Sequence, residues 1–228
     1  MPFTNRVEAG RQLARALAAY RDRDPVVLAL PRGGVPVAAE VARALHAPLD
    51  LVVVRKIGVP TQPELAMGAV VDGADPIVVR NDDVVRDTRV SEADFQMICK
   101  AELAEIERRR ARYIGTRARV EPAGRTVIVV DDGVATGATV RAALAAIRAR
   151  RPKWLVLAVP VGPVTTIEEL RREADDVVCL EEHERFGAIG YFYADFRPTT
   201  DEEVVRLLAR HPVERPRQQN GSPTRSAA

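Results

Sequence analysis

The chain has 228 residues, 46% of them hydrophobic, which suits one domain with a full core, or one domain with a small appendage. Aromatics make up only 4%, so Val, Leu, Ile and Ala must fill that core. Lys and Arg number 34 against 32 Asp and Glu, and the formal net charge of +2 is matched by the last seventeen residues alone, so the remainder carries no basic field for nucleic acid.

Residues 4–20 open as a helix, with Asn5 and Glu8 at capping-box spacing and Val7, Leu13, Ala14 and Leu17 forming an apolar stripe. This helix reads as structural packing. Val26–Leu30 is the first core strand. Pro31-Arg32-Gly33-Gly34 follows at once, then Val37, Val41 and Leu45 at helical spacing. Paired glycines between strand and helix leave backbone amides free to meet an anion, with Arg32 beside them; a plain turn explains the four residues equally well when they are taken alone. Asp50–Val54 is the second strand and ends in Arg55-Lys56. The stretch 57–66, with Gly58, Pro60 and Pro63 and little periodicity, is expected to be an exposed loop whose polar candidates are Thr61, Gln62 and Glu64.

Met67–Val71 and Ile77–Val79 flank Asp72-Gly73 and are expected to pair as a hairpin near a sheet edge. Residues 81–88 read as polar and irregular. Ser91 opens a long helix to about Tyr113, with Phe95, Ile98, Leu103 and Ile106 on one face. Its other face carries Glu102, Glu105, Arg108, Arg109 and Arg112; solvated ion pairs account for it, and a homodimer contact is the alternative use.

Val127–Val130 is a run of four β-branched residues, as expected of a strand buried on both faces. It stops at Asp131 and Asp132. Gly133, Val134, Ala135, Thr136, Gly137, Ala138 and Thr139 make a small, hydroxyl-rich loop, and Val140, Leu144 and Ile147 then mark a helix. Amides at that helix start, assisted by its dipole, suit a phosphate. The aspartates suit the opposite task of accepting hydrogen bonds from sugar hydroxyls or helping to hold a hard cation. A turn with a helix cap is the bland alternative. A receiver domain also begins with strand-Asp-Asp, but the next acidic pair, Asp175 and Asp176, precedes its strand, 177–180, instead of following it. Dinucleotide and Walker glycine patterns are absent.

Leu155–Val159 is a further buried strand, closed by Pro160, Gly162 and Pro163, with Thr165 and Thr166 placed to cap a short helix. Phe186, Tyr191, Phe192, Tyr193 and Phe196 crowd into eleven positions within 181–198, expected to plug the end of the core or to stack on a planar ring as a hood. Thr200 with Glu203 caps a last helix, and 212–228 reads as a disordered tail beyond a domain of 1–211. Cys99 and Cys179 lack metal-ligand spacing and read as buried free thiols in a reducing cytoplasm. No signal-peptide pattern is seen, and no run approaches the roughly 20 apolar residues of a membrane span. Strands alternating with helices imply a mainly parallel twisted α/β sheet with helices on both faces.

The stretch from Val127 to Thr139, an apolar strand, two acids, a spacer and Thr-Gly-x-Thr, resembles the phosphoribosyl pyrophosphate (PRPP) motif of type I phosphoribosyltransferases. The resemblance implies that Asp131 and Asp132 face the ribose 2- and 3-hydroxyls and that residues 135–139 wrap the 5-phosphate. It implies that Arg32, Gly33 and Gly34 grip pyrophosphate, often through a non-proline cis peptide, with Arg55 and Lys56 adding positive charge and 57–66 acting as a mobile flap. Mg2+ would be held largely through PRPP oxygens, with Asp131 as its protein contact. The implied activity is displacement of pyrophosphate from the anomeric carbon by a nitrogen nucleophile, such as a nucleobase. A non-catalytic PRPP sensor is the alternative in the same fold.

Overall fold

The computed structural model describes residues 2–73, 76–115 and 117–211. Its strands are β1 (Pro25–Ala29), β2 (Leu49–Leu51), β3 (Val54–Val59), β4 (Gln62–Val71), β5 (Ile77–Arg80), β6 (Thr126–Val130), β7 (Trp154–Pro163) and β8 (Asp176–His183). Its α-helices are α1 (Arg6–Ala16), α2 (Gly34–Leu45), α3 (Asp82–Thr88), α4 (Glu92–Ile114), α5 (Ala138–Ala149), α6 (Val164–Leu170) and α7 (Asp201–Ala209). The tail expected at 212–228 lies outside the described residues.

Five strands form a parallel sheet in the order β2-β1-β6-β7-β8. Every residue of β1 and β6 is buried, as the unbroken apolar runs require. Alternation along them sorts the core into two layers. Val27, Ala29, Ile128 and Val130 face α1, α2, α4 and α7, whereas Val26, Leu28, Val127 and Val129 face α5 and α6. From β1 the chain crosses to one neighbour, β2, and from β6 it crosses to the other, β7. The strand order therefore reverses between β1 and β6, and the crevice at their carboxyl ends is where open α/β sheets receive ligands.

A second, antiparallel sheet, β3-β4-β5, differs from the sequence expectation in two ways. First, the stretch 57–66 is a hairpin, not a loop: β3 and β4 turn at Pro60-Thr61, and register shifts at Gly58 absorb the glycine and prolines that interrupt the periodicity. Second, the strand expected over 50–54 is cut short at Leu51, so Arg55 and Lys56 lie in the small sheet and not at the end of a parallel strand. The expected pairing of 67–71 with 77–79 is present as β4-β5, within this sheet. Arg110 pins the junction from α4, its guanidinium buried between Asp72 (2.5 Å) and Asp50 (3.3 Å).

Smaller differences have local causes. Residues 82–88 are helical, capped by the Asn81 side chain on the Val84 amide. The 4–20 helix ends at Ala16 and continues as a short 3-10 turn. β7 runs on through Pro160 to Pro163. Thr165 and Thr166 do not cap α6; Thr166 donates instead to the Ala135 carbonyl (2.9 Å). β8 takes up residues 181–183 of the expected hood. In the remainder, Phe186 stacks on Phe192, Tyr193 stacks on Phe196 and lies against Phe3, and Tyr191 stands 78% exposed. The aromatics thus mainly close the core's end, leaving one ring free. Cys99 is buried and Cys179 half-buried, both as free thiols. No helix among the described residues is long and apolar enough to cross a membrane.

Candidate active site

Two loops leave the carboxyl ends of β1 and β6 side by side, joined by the Leu30 amide on the Val130 carbonyl (2.9 Å). The first holds a cis peptide between Pro31 and Arg32 and feeds α2 through Gly33 and Gly34. The second runs from Asp131 to Gly137 and feeds α5. Gly137 takes φ +78°, a left-handed conformation that favours glycine. Neither α2 nor α5 receives a side-chain cap, whereas Asn5, Asn81, Ser91 and Thr200 cap α1, α3, α4 and α7. The α5 start therefore presents amide donors to whatever enters the crevice, whereas at α2 the Gly34 amide already donates to the Leu30 carbonyl (3.0 Å) and the Val35 amide to that of Arg32 (3.2 Å), leaving the loop amide of Gly33.

The loops touch. A Cβ added to Gly33 would lie 2.1 Å from Asp132 Oδ2, and one added to Gly34 would lie 2.9 Å from the Asp131 Cα. Only residues without side chains permit that approach. Asp131 is partly exposed and accepts the Asp132 amide (2.9 Å); Asp132 is buried. Burial, reinforced by the charge of Asp132, holds Asp131 well above the usual carboxylate range. Burial also raises Asp132, with Arg6 pulling it back toward ionisation. From the first turn of α1, the Arg6 Nε and Nη2 atoms both contact Asp132 Oδ2 at 2.8 Å. Arg6 Nη1 donates to the Arg197 carbonyl (2.8 Å), and its guanidinium lies 3.9 Å from the Phe196 ring centre. The Tyr193 hydroxyl donates to the Asp132 carbonyl (2.6 Å), and burial pushes its pKa up. One acid is thus anchored through both side chain and backbone, and the other is left more open.

The structure brings Gly33, Gly34, Asp131 and Asp132 together, with Ala135, Thr136, Ala138 and Thr139 exposed along the second loop. Arg32 belongs to the same loop, but its guanidinium leads away, 3.5 Å from Asp201 at the start of α7. Arg55 pairs with Glu102 (2.6 Å) and Lys56 with Glu64 (3.0 Å). Lys56 also lines a cavity of about 410 Å³ with Ala138 and Thr139, so it approaches the second loop from the small sheet. No cluster of three or more His, Cys, Asp or Glu suited to a metal occurs among the described residues. Two adjacent carboxylates still fit Mg2+, which often takes one or two protein carboxylates and fills its shell from phosphates and water.

The chain is similar to known proteins. A family model described as the phosphoribosyl transferase domain matches residues 5–197, a span that includes both loops, Arg6 and the aromatic segment. The chain belongs to this family. Two Mycobacterium tuberculosis relatives, "Putative phosphoribosyl transferase Rv0571c" from strain H37Rv and "Putative phosphoribosyl transferase MT0597" from strain CDC 1551, are each 49% identical over 208 residues. That is 91% of this chain and 46% of each relative, so the chain spans about half the length of the curated relatives it matches. The crystal structure of TT1426 from Thermus thermophilus is 40% identical, with a TM-score of 0.82 over 93% of this chain and 100% of that one. The phosphoribosyltransferase fold expected from the sequence, with its mainly parallel sheet between helices, is therefore the fold of this chain.

Two features of this crevice are not legible in the local sequence. Arg6 stands one residue past the Asn5 cap and 126 positions from Asp132; its one local mark is a place three, four and seven residues before Ala9, Gly10 and Leu13, on the buried face of α1. The direction of Arg32 is equally hidden, because it depends on Asp201 arriving from the far end of the chain.

Proposed function

We propose that this domain binds PRPP in the β1–β6 crevice and transfers its phosphoribosyl group, releasing pyrophosphate. The observation that carries this reading is the contact of the Gly33-Gly34 loop with Asp131-Asp132, two uncapped helix starts flanking a carboxylate pair. PRPP carries a 5-phosphate, a vicinal diol and a pyrophosphate, and the crevice offers an amide cradle, two acceptors and a second amide-bearing loop in that order. Asp131 and Asp132 would accept hydrogen bonds from the diol. Residues 135–139 would hold the 5-phosphate, and the loop at 32–34, through its Gly33 amide, the pyrophosphate.

Displacement at an anomeric carbon proceeds through an oxocarbenium-like state, so positive charge builds on the sugar as negative charge builds on the leaving group. Preorganised amides at the pyrophosphate end and the two acids at the ribose would stabilise both developing charges with little reorganisation. Arg6 and Tyr193 keep Asp132 in place for that task. Lys56 and Arg55 would add cationic character from the β3–β4 hairpin once Glu64 and Glu102 release them. Mg2+, contacted by Asp131, would supply further neutralisation of the phosphate oxygens. The acceptor is a nitrogen nucleophile, of which a nucleobase is one class, and Tyr191 is the exposed ring available to stack on it.

Pyrophosphate release from PRPP and Mg2+ across a panel of nucleobases and amines tests the reading. Transfer expects release that depends on at least one acceptor. PRPP bound without release under any of them favours a PRPP-sensing domain instead.

A further inference from the structure

Arg32 leads from the β1 loop into a cavity of about 200 Å³ lined by Arg32, Arg108, Arg109, Arg112, Tyr113 and Asp201. Its lining holds four guanidinium groups and one carboxylate, with Glu105 and Glu202 pairing three of the arginines from beside it. We propose that this cavity is a second anion site, for the phosphate chain of an oligophosphate. The proposal goes beyond phosphoribosyl transfer and does not depend on it.

Volume sets the ligand size. Drug-sized ligands occupy roughly 300–1,000 Å³, so this smaller space suits a compact ion or the phosphate end of a larger one. Guanidinium groups stay charged and offer forked donors that match phosphate oxygens. Arg108 and Arg112 are four apart on α4 and therefore share a face. The acids around them are Asp201, Glu105 and Glu202. Glu105 accepts from Arg108 and Arg109 (2.7 Å each), and Glu202 from Arg112 (3.2 Å).

Asp201 supplies the carboxylate of that lining. Its carboxylate accepts the Tyr113 hydroxyl (2.8 Å) and meets Arg112 (2.9 Å) and Arg32 (3.5 Å), so donors from three directions converge on one anionic group. These donors hold its pKa below the ordinary value, with Tyr113 the largest cause. Asp201 thus marks where a ligand oxygen sits. Its contact with Arg32 is the longest of the three, and Arg32 is 48% exposed. Exposed ion pairs contribute little net stability, so a multiply charged ion can exchange them. An oligophosphate held here draws Arg32 off Asp201 and fixes the loop before Gly33 from outside the crevice.

Calorimetry with sodium tripolyphosphate, without Mg2+ and at low ionic strength, tests the site. Wild type is expected to bind, and Arg108→Gln with Arg112→Gln to weaken that event by roughly tenfold or more. Asp201→Asn removes the internal competitor and is expected to tighten it, a gain that a purely structural role for Asp201 would not give. Asp131→Asn with Asp132→Asn should leave it in place. ATP, which carries the same phosphate chain on a nucleoside, is expected to bind comparably. No binding by wild type, affinity unchanged in the double arginine variant, or no gain from Asp201→Asn would each overturn the site. Binding of ATP without tripolyphosphate would overturn the assignment to the phosphate chain.

Discussion

Arg6→Gln isolates the contact that anchors Asp132. Both side chains of the pair are 11% exposed, and two nitrogens meet one oxygen at 2.8 Å, so the substitution strips a buried carboxylate of its cation. Removing one partner of such a pair costs about 3–5 kcal/mol. A limit follows from protonation. Relative to an unfolded value near 3.9, neutralising an aspartate costs about 4 kcal/mol at pH 7 and about 1.5 kcal/mol at pH 5. The expected loss is therefore roughly 3–4 kcal/mol at pH 7, or roughly 6–16 °C in Tm for a domain of this size. The sign with pH is fixed by linkage. A carboxyl whose folded pKa is raised contributes stability that is complete below its unfolded pKa and is lost as pH rises through the folded one. Asp132 is already raised by burial, and removing Arg6 raises it further, so the variant's deficit should grow from pH 5 to pH 7. Urea unfolding at both pH values measures it. A deficit below about 1 kcal/mol at pH 7, or one that grows toward acid, would refute the reasoning.

Two further substitutions probe neighbouring features. Gly33→Ala places a Cβ 2.1 Å from Asp132 Oδ2, and the forced shift is expected to cost about 1–3 kcal/mol and to lower PRPP affinity at least roughly tenfold. Titration calorimetry showing normal affinity would contradict the loop contact. Arg110→Ala leaves buried Asp50 without its ion pair and buried Asp72 with only the longer contact to Arg119 (3.4 Å), and should cost about 3–5 kcal/mol in urea unfolding. A loss under about 1 kcal/mol would show that water or Arg119 compensates.

Legibility in the sequence followed how local the deciding physics was. β1, β6, α2 and α5 were readable because unbroken apolar runs, nearby glycines and helical spacing lie within a few residues of one another. Asn5, Ser91 and Thr200 announced their helices for the same reason. The hairpin at 54–71 was not readable, since Gly58, Pro60 and Pro63 look like loop punctuation until the opposite strand is known to bulge around them. α3 has a cap at Asn81 but only Val84 and Val85 as apolar residues, too few to display a period. At the site, the acids and glycines carried their own signal. The cation on Asp132 and the route of Arg32 were set by contacts more than a hundred residues away in the chain.

The most direct test of the crevice is calorimetric titration of PRPP into wild type and into Asp131→Asn with Asp132→Asn, alongside urea unfolding of each. Two lost hydrogen bonds to charged acceptors should weaken PRPP by roughly 100-fold or more, while unfolding stays cooperative because asparagine preserves shape. A cooperatively folded variant whose Kd for PRPP remains within about threefold of wild type, less than about 1 kcal/mol, would contradict the assignment of this carboxylate pair to the sugar diol.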